Sequence, residues 1–271
     1  MTVCNTFQQL AVYTWTQINR SRKVNYQLKE ETLTDMIVLE LKRKHGHQVI
    51  THTFSKYYES KNGADWEWWF NNNGKWIGFR IQAKIINNKS NEFEHLHYKG
   101  KKAVMHQCDT LIHNALTTSP PKIPLYSLFL STNDKSLLKR WFCKTFTLDR
   151  KFWGCSLINA FDVQKLRSSN IKHLRDLEML IRPWHCLVCC SGYHGNDKIQ
   201  QMENYAKANF PLDNNIIKEL NLNIPESFIT ENPPDYVLSL FKNESAEIQP
   251  PDENLYGILI MTLASNDEIA Q

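Results

Sequence analysis

The sequence reads as an α/β protein. Its core runs helix, strand, strand, strand, helix, strand, a mixed central sheet flanked by helices, and a C-terminal α/β extension follows. Three features predict this. A long uninterrupted helical pattern comes first. Three β-like runs follow, with an Asn-rich turn between the last two. A second helical pattern then leads into a fully apolar strand.

Residues 1–25 are expected as an N-terminal helical segment, 26–135 as the core, and 136–271 as the extension, which either joins the same sheet or stands apart. The first core helix spans Glu30–His45. It has no Gly or Pro, carries Thr32, Thr34 and Asp35 near its start, and is followed by Gly46. Leu33, Met36, Ile37 and Leu41 form its apolar stripe, widened by Val38 and Leu39, as expected of a helix packed on a sheet. The β-like runs are Gln48–Phe54, Ala64–Phe70 and Lys75–Ile86, and the turn at Asn71–Gly74 marks a hairpin between the last two. A second helix is expected over Ala103–Leu116, then the strand Leu125–Leu130. Further strand-like runs lie at Cys155–Phe161, His185–Cys190 and Tyr256–Leu263.

Composition narrows the function. Of 271 residues, 42% are hydrophobic, with 8 Trp, 13 Phe and 10 Tyr, enough to build a core and exclude bulk disorder. No apolar run nears the ~18 residues of a membrane helix. The N-terminus lacks a charged region followed by an apolar block, so a cytoplasmic protein with no membrane partner is expected. With no such signal, the seven cysteines are expected as reduced thiols. Residues 1–175 hold 27 Lys and Arg against 13 Asp and Glu, whereas the remainder holds 5 against 15. A basic two-thirds joined to an acidic end suits a chain of which one part meets polyanions. Gly-rich phosphate loops and Gly-x-Ser-x-Gly are both absent, which argues against nucleoside-triphosphate hydrolysis and serine esterase chemistry.

The chemistry concentrates on the hairpin. Alternation puts Asp65, Glu67 and Trp69 on one face of their strand, and Gln82 and Lys84 on one face of the next. As antiparallel neighbours these strands bring the two acids within reach of the amide and the amine. On the preceding helix, Glu31 and Asp35 fall on a face turned away from the apolar stripe, where either acid can overhang the sheet edge. Carboxylates and an amide oxygen are hard ligands, suited to Mg2+ or Mn2+. Asp, Glu, Gln and Lys around such an ion, in a basic protein, point to phosphodiester hydrolysis.

This pattern resembles the PD-(D/E)XK restriction-endonuclease-like nucleases. Ile81-Gln82-Ala83-Lys84 looks like the Q-x-K variant of Mrr-like enzymes, and Gly63–Trp69 looks like the acidic strand. Over residues 30–131 the resemblance implies a Mg2+- or Mn2+-dependent DNA endonuclease acting in defence against foreign DNA. It implies metal ligands Asp65, Glu67, Gln82 and Glu31, with Lys84 orienting the attacking water. It also implies a homodimer that pairs two active sites. Gln107 matches a polar residue often found near such sites. The neutral Gln82 departs from the usual acid and removes one negative charge, which Glu67 is expected to restore. Lys56, Lys61, Arg80, Lys99, Lys101 and Lys102, with Gln107, are candidate contacts to nucleic acid. An RNA-directed nuclease, and a non-catalytic nucleic-acid-binding or interaction module on the same fold, are the alternatives.

Two other clusters carry metal-binding residue types. His185-Cys186-x-x-Cys189-Cys190, followed by His194, has zinc donors, but alternation with Leu187 and Val188 favours buried core thiols. Glu94, His95, His97 and His106 read as surface-loop groups.

Overall fold

A two-residue turn sets the centre of the sheet. Asn73 and Gly74 both adopt positive φ, 50° and 78°, the requirement of a hairpin turn that matches strand twist. It joins β2 (Asp65–Asn72) to β3 (Lys75–Ile85) with Asn72 opposite Lys75, Glu67 opposite Arg80 and Asp65 opposite Gln82. The computed structural model describes residues 2–54, 65–101, 103–140, 143, 149–189, 192–219, 221–222, 224–243, 248–249, 251 and 255–263. For Asp65 the backbone alone is described.

Ahead of the hairpin come α1 (Val3–Lys23), α2 (Glu30–Lys44) and β1 (Val49–Thr53). After it come α3 (Gln107–Leu116), β4 (Ile123–Phe129), a 3-10 turn (Arg150–Gly154) and β5 (Cys155–Asn159). Then follow α4 (Ala160–Arg167), α5 (Leu174–Leu177), β6 (Arg182–Pro183), α6 (Cys186–Cys189) and α7 (Lys198–Asn209). The chain closes with α8 (Asn214–Glu219), β7 (Ile229–Thr230), α9 (Asp235–Phe241) and β8 (Leu255–Thr262).

All eight strands share one mixed sheet, ordered β1-β8-β2-β3-β4-β5-β6, with β7 paired to β3. The C-terminal region thus adds strands to the core sheet. Its last strand, β8, lies between β1 and β2, antiparallel to the first and parallel to the second. The β3–α3–β4 crossover makes β3 and β4 parallel. Both strands are almost wholly buried; β4 accordingly reads as near-continuous apolar text, whereas β3 also buries Arg80, Gln82 and Lys84.

Each face of the sheet has its own cover. α2 turns Leu33, Ile37 and Leu41 inward, and its core is continuous with Trp66, Trp68, Ile81 and Ala83. α9 brings Val237 onto the opposite face, over Trp69, Ile258 and Ile260. α1 buries Phe7, Leu10, Ala11, Trp15 and Ile18 at helical spacing. Trp184 ties α1 to the sheet: its indole Nε1 donates to Phe7 O at 2.8 Å, and its ring meets Trp68 at 5.9 Å.

Three expectations change. The second core helix begins at Gln107 rather than Ala103, because His106 is extended at its N-cap. Within the strand-like run His185–Cys190, the described residues 185–189 are not a strand: Val188 N and Cys189 N both donate to His185 O, so this run turns as α6. Docking of Trp184 against α1 ends β6 after two residues, and tertiary contact outweighs β propensity there. Finally, Cys4 in α1 and Cys189 in α6 form a disulfide with Cα atoms 5.5 Å apart, where reduced thiols were expected. Among the described residues no helix is long and apolar enough to cross a membrane.

Gly154 is where the 3-10 turn meets α1. A Cβ there would lie 2.8 Å from Trp15 N and closer still to Ala11 O, both backbone atoms. Gly154→Ala is therefore expected to destabilise the fold by at least about 1–3 kcal/mol, the usual cost of overpacking. Thermal melting of the variant beside the parent checks this; an unchanged melting temperature would show that α1 is not closely seated.

Candidate active-site cleft

Asp65 and Gln82 face each other across the hairpin, and Lys84 follows two residues on, at the same end of the sheet. Antiparallel partners share a register and strand residues alternate, so Gln82 and Lys84 fall on one face of β3, at the register position of Asp65. Lys84 is only 4% exposed. Its Nζ lies 3.7 Å from Glu30 Oε2 in the first turn of α2. Glu30 Oε1 accepts a hydrogen bond from Ile85 N at 3.3 Å. The start of α2 is thus bound to the end of β3, where the positive end of the helix dipole favours a carboxylate.

Burial raises the Glu30 pKa above the ordinary carboxylate value, and the charge of Lys84 only partly offsets it. Gln82 is 2% exposed, and its Nε2 donates to Ala83 O at 3.3 Å. Its Oε1 is buried without a hydrogen-bond partner, a cost of about 1–3 kcal/mol unless a ligand meets it.

Gln82 lies two residues along β3 from Lys84, and Glu30 and Lys84 line a cleft of about 780 Å3. Its wall carries acids from two elements, Glu30, Glu31 and Asp35 on α2 and Glu94 from the loop after β3. His95, Tyr98, Gln107 and Tyr256 add polar and aromatic groups, beside Gln27, Lys29 and Asn87. Among the described residues, no three acids of the cleft bring oxygens within 4.8 Å of one another. The donor types nonetheless fit Mg2+ or Mn2+: hard carboxylates, a buried amide oxygen, and an ion that usually takes only one or two carboxylates and keeps several waters.

Two expected site residues lie elsewhere. Glu67 and Arg80 are fully buried deeper along the hairpin, four residues and therefore ~14 Å along the strand from Lys84. Glu67 Oε1 receives Arg80 Nη1 at 3.1 Å and Lys122 Nζ at 3.2 Å. Its Oε2 accepts from Trp69 Nε1 at 3.0 Å and from the Tyr236 hydroxyl at 2.7 Å. Both oxygens are committed, so Glu67 does not replace the acid missing at Gln82. Arg80, at 0% exposure, does not reach a phosphate backbone.

On α2, Glu30 rather than Glu31 contacts Lys84, while Glu31 is exposed on the cleft wall. The helical phase contained this signal: Glu30 precedes Leu33 by three residues and Ile37 by seven, which puts it on the buried stripe. Gln107, 8% exposed, opens α3 beside the cleft. Lys99 and Lys101 are exposed next to Tyr98, whereas Lys56, Lys61 and Lys102 lie outside the described residues. Glu94 and His95, read from sequence as loop groups, belong to the cleft. So does Tyr256, which only the insertion of β8 brings there.

A family model described as "Family of unknown function (DUF6615)" matches residues 3–267, and the chain belongs to that family. No curated protein and no solved structure matches it.

Two stability outcomes follow. Glu67→Gln keeps the shape but leaves Arg80 and Lys122 facing a neutral amide, and should cost about 3–5 kcal/mol, as removing one partner of a buried ion pair does. Urea denaturation reads this directly, and a loss under about 1 kcal/mol, the scale of an exposed pair, would mean that solvent reaches the network. For Glu30, the raised pKa means that the folded chain holds the proton more tightly than the unfolded chain. Its contribution to stability therefore falls as pH rises through that range. Glu30→Gln, a mimic of the protonated acid, should be more stable than the parent at neutral pH. The gap should close as pH falls below the ordinary glutamate range. A gap that does not vary with pH would contradict the burial of this carboxylate.

Proposed function

We propose that this family member is a metal-dependent nuclease that hydrolyses phosphodiester bonds, with DNA as substrate and defence against foreign DNA as its role. The observation that carries the reading is the placement of Lys84. It is a nearly buried amine at the rim of an acid-lined cleft, two residues along β3 from Gln82, which lies opposite Asp65. The assignment of DNA and of defence rests on the resemblance of Ile81–Lys84 and Gly63–Trp69 to restriction-like nucleases.

The chain's own groups divide the work. Asp65, the Gln82 amide oxygen and the cleft acid Glu31 are the groups that would hold Mg2+ or Mn2+. A bound ion supplies charge neutralisation at the phosphate and a more acidic water. Lys84 orients the attacking water and offsets negative charge that develops on the phosphorus oxygens. Glu30 holds the Lys84 ammonium in place from the start of α2. At the edge of the cleft, Lys99 and Lys101, beside the lining residue Tyr98, offer charge and an aromatic face to a polynucleotide.

The neutral Gln82 favours one second reading, a nucleic-acid-binding module on the same scaffold without catalysis. Plasmid DNA and RNA incubated with Mg2+ or Mn2+ separate the two. The parent is expected to cut DNA. Asp65→Asn and Lys84→Met should each lose at least about a hundredfold in rate, the usual effect of removing one transition-state electrostatic partner, with cooperative melting retained. Binding without cleavage selects the module, cleavage of RNA alone reassigns the substrate, and full activity in both variants removes the proposed site.

A further inference from the structure

Away from the cleft, the chain gathers a second set of ligand-type side chains. Cys143, in the connection between β4 and β5, meets His185 and Cys186 at the start of α6. One donor atom from each lies within 4.8 Å of the other two, and all three residues are buried. His185 Nε2 is 3.8 Å from Cys186 Sγ. Zinc held at ~2.3 Å by sulfur and ~2.0 Å by nitrogen needs donor separations of about 3.5–3.8 Å in a tetrahedral site. The cluster is thus near the required spacing before any ion draws it in.

We propose that Cys143, His185 and Cys186 form a structural site for a soft or borderline divalent ion, zinc above all. Two thiolates and an imidazole are the donors that select such an ion over Mg2+. Binding replaces two S–H bonds with two metal–sulfur bonds and releases both protons to solvent, and the neutral imidazole adds its lone pair. A fourth position falls to a water. Cys189, bonded to Cys4, is not a donor, and His194 is exposed.

The other buried thiols differ from this cluster. Burial pushes Cys108 up to about 11 and Cys155 up to about 12. Neither belongs to a three-donor group among the described residues. The Cys143 cluster instead joins segments 42 residues apart at the β6 edge. Three strand spacings, about 14 Å, separate β6 from β3. The bound ion clamps the β4–β5 connection to the turn that follows β6, with the Phe152 ring edge-on to His185 at 5.3 Å.

The full chain, purified without chelators, is expected to retain stoichiometric zinc by elemental analysis. Exchange with Co2+ should give a near-ultraviolet thiolate-to-cobalt charge-transfer band and the visible bands of a tetrahedral ion. Cys143→Ser and Cys186→Ser should each lose both the metal and the band, while Cys108→Ser keeps them. A folded parent with no metal and no thiolate band after Co2+ addition would overturn the site, and so would a band that survives in both cluster variants. Cobalt in the acid-lined cleft gives no thiolate band, so this result is read separately from nuclease activity.

Discussion

A carboxylate sealed inside the sheet is the constraint that organises the hairpin. Glu67 is fully buried, and its two oxygens engage Arg80 from β3, Lys122 from the approach to β4, Trp69 from its own strand and Tyr236 from α9. Ionic groups are costly to remove from water, and such a network need not add net stability over an apolar core. It does determine register. A one-residue slip of β2 against β3 would send Glu67 to the other face, away from both cations. Gly78, opposite Trp69, belongs to the same arrangement: a Cβ there would lie 2.8 Å from the indole and 2.9 Å from Lys122. Once that register is set, Asp65 stands opposite Gln82, and Lys84 emerges at the sheet end where α2 begins.

The cleft follows from how elements end. β3 ends at Ile85, whose amide is held by Glu30, so the α2 N-terminus and the β3 C-terminus share one carboxylate. The same carboxylate faces Lys84. A buried amine, a partly desolvated acid and an unsatisfied amide oxygen concentrate unpaid desolvation in one small region. Stable proteins tend to carry such strain at sites of function. The Cys143 cluster has a different character. It is buried, built of soft donors, and placed to brace a connection rather than to face a cleft.

Much of the core could be read directly. The α2 stripe, the Asn73-Gly74 hairpin and the apolar β4 are local signals, carried by periodicity and turn chemistry within a dozen residues. The alternation that puts Gln82 and Lys84 on one strand face was legible for the same reason, since it needs no partner. Other features were not. Nothing in Tyr256–Leu263 says that it inserts between β1 and β2, because any apolar strand can pair there. Glu67 and Arg80 looked available because sequence shows alternation but not depth.

The sequence by itself determined the order of the elements up to β4, the hairpin, and the alternation that puts Gln82 and Lys84 on one strand face, because each depends on the geometry of neighbouring residues. Only the tertiary structure decided that Glu67 anchors the sheet and that Glu30, not Glu31, meets Lys84. It also decided that Cys143 joins His185 and Cys186 across 42 residues. The reason is physical: burial, ion pairing and ligand convergence depend on which distant surfaces exclude water together, and a linear chain does not specify that one segment at a time.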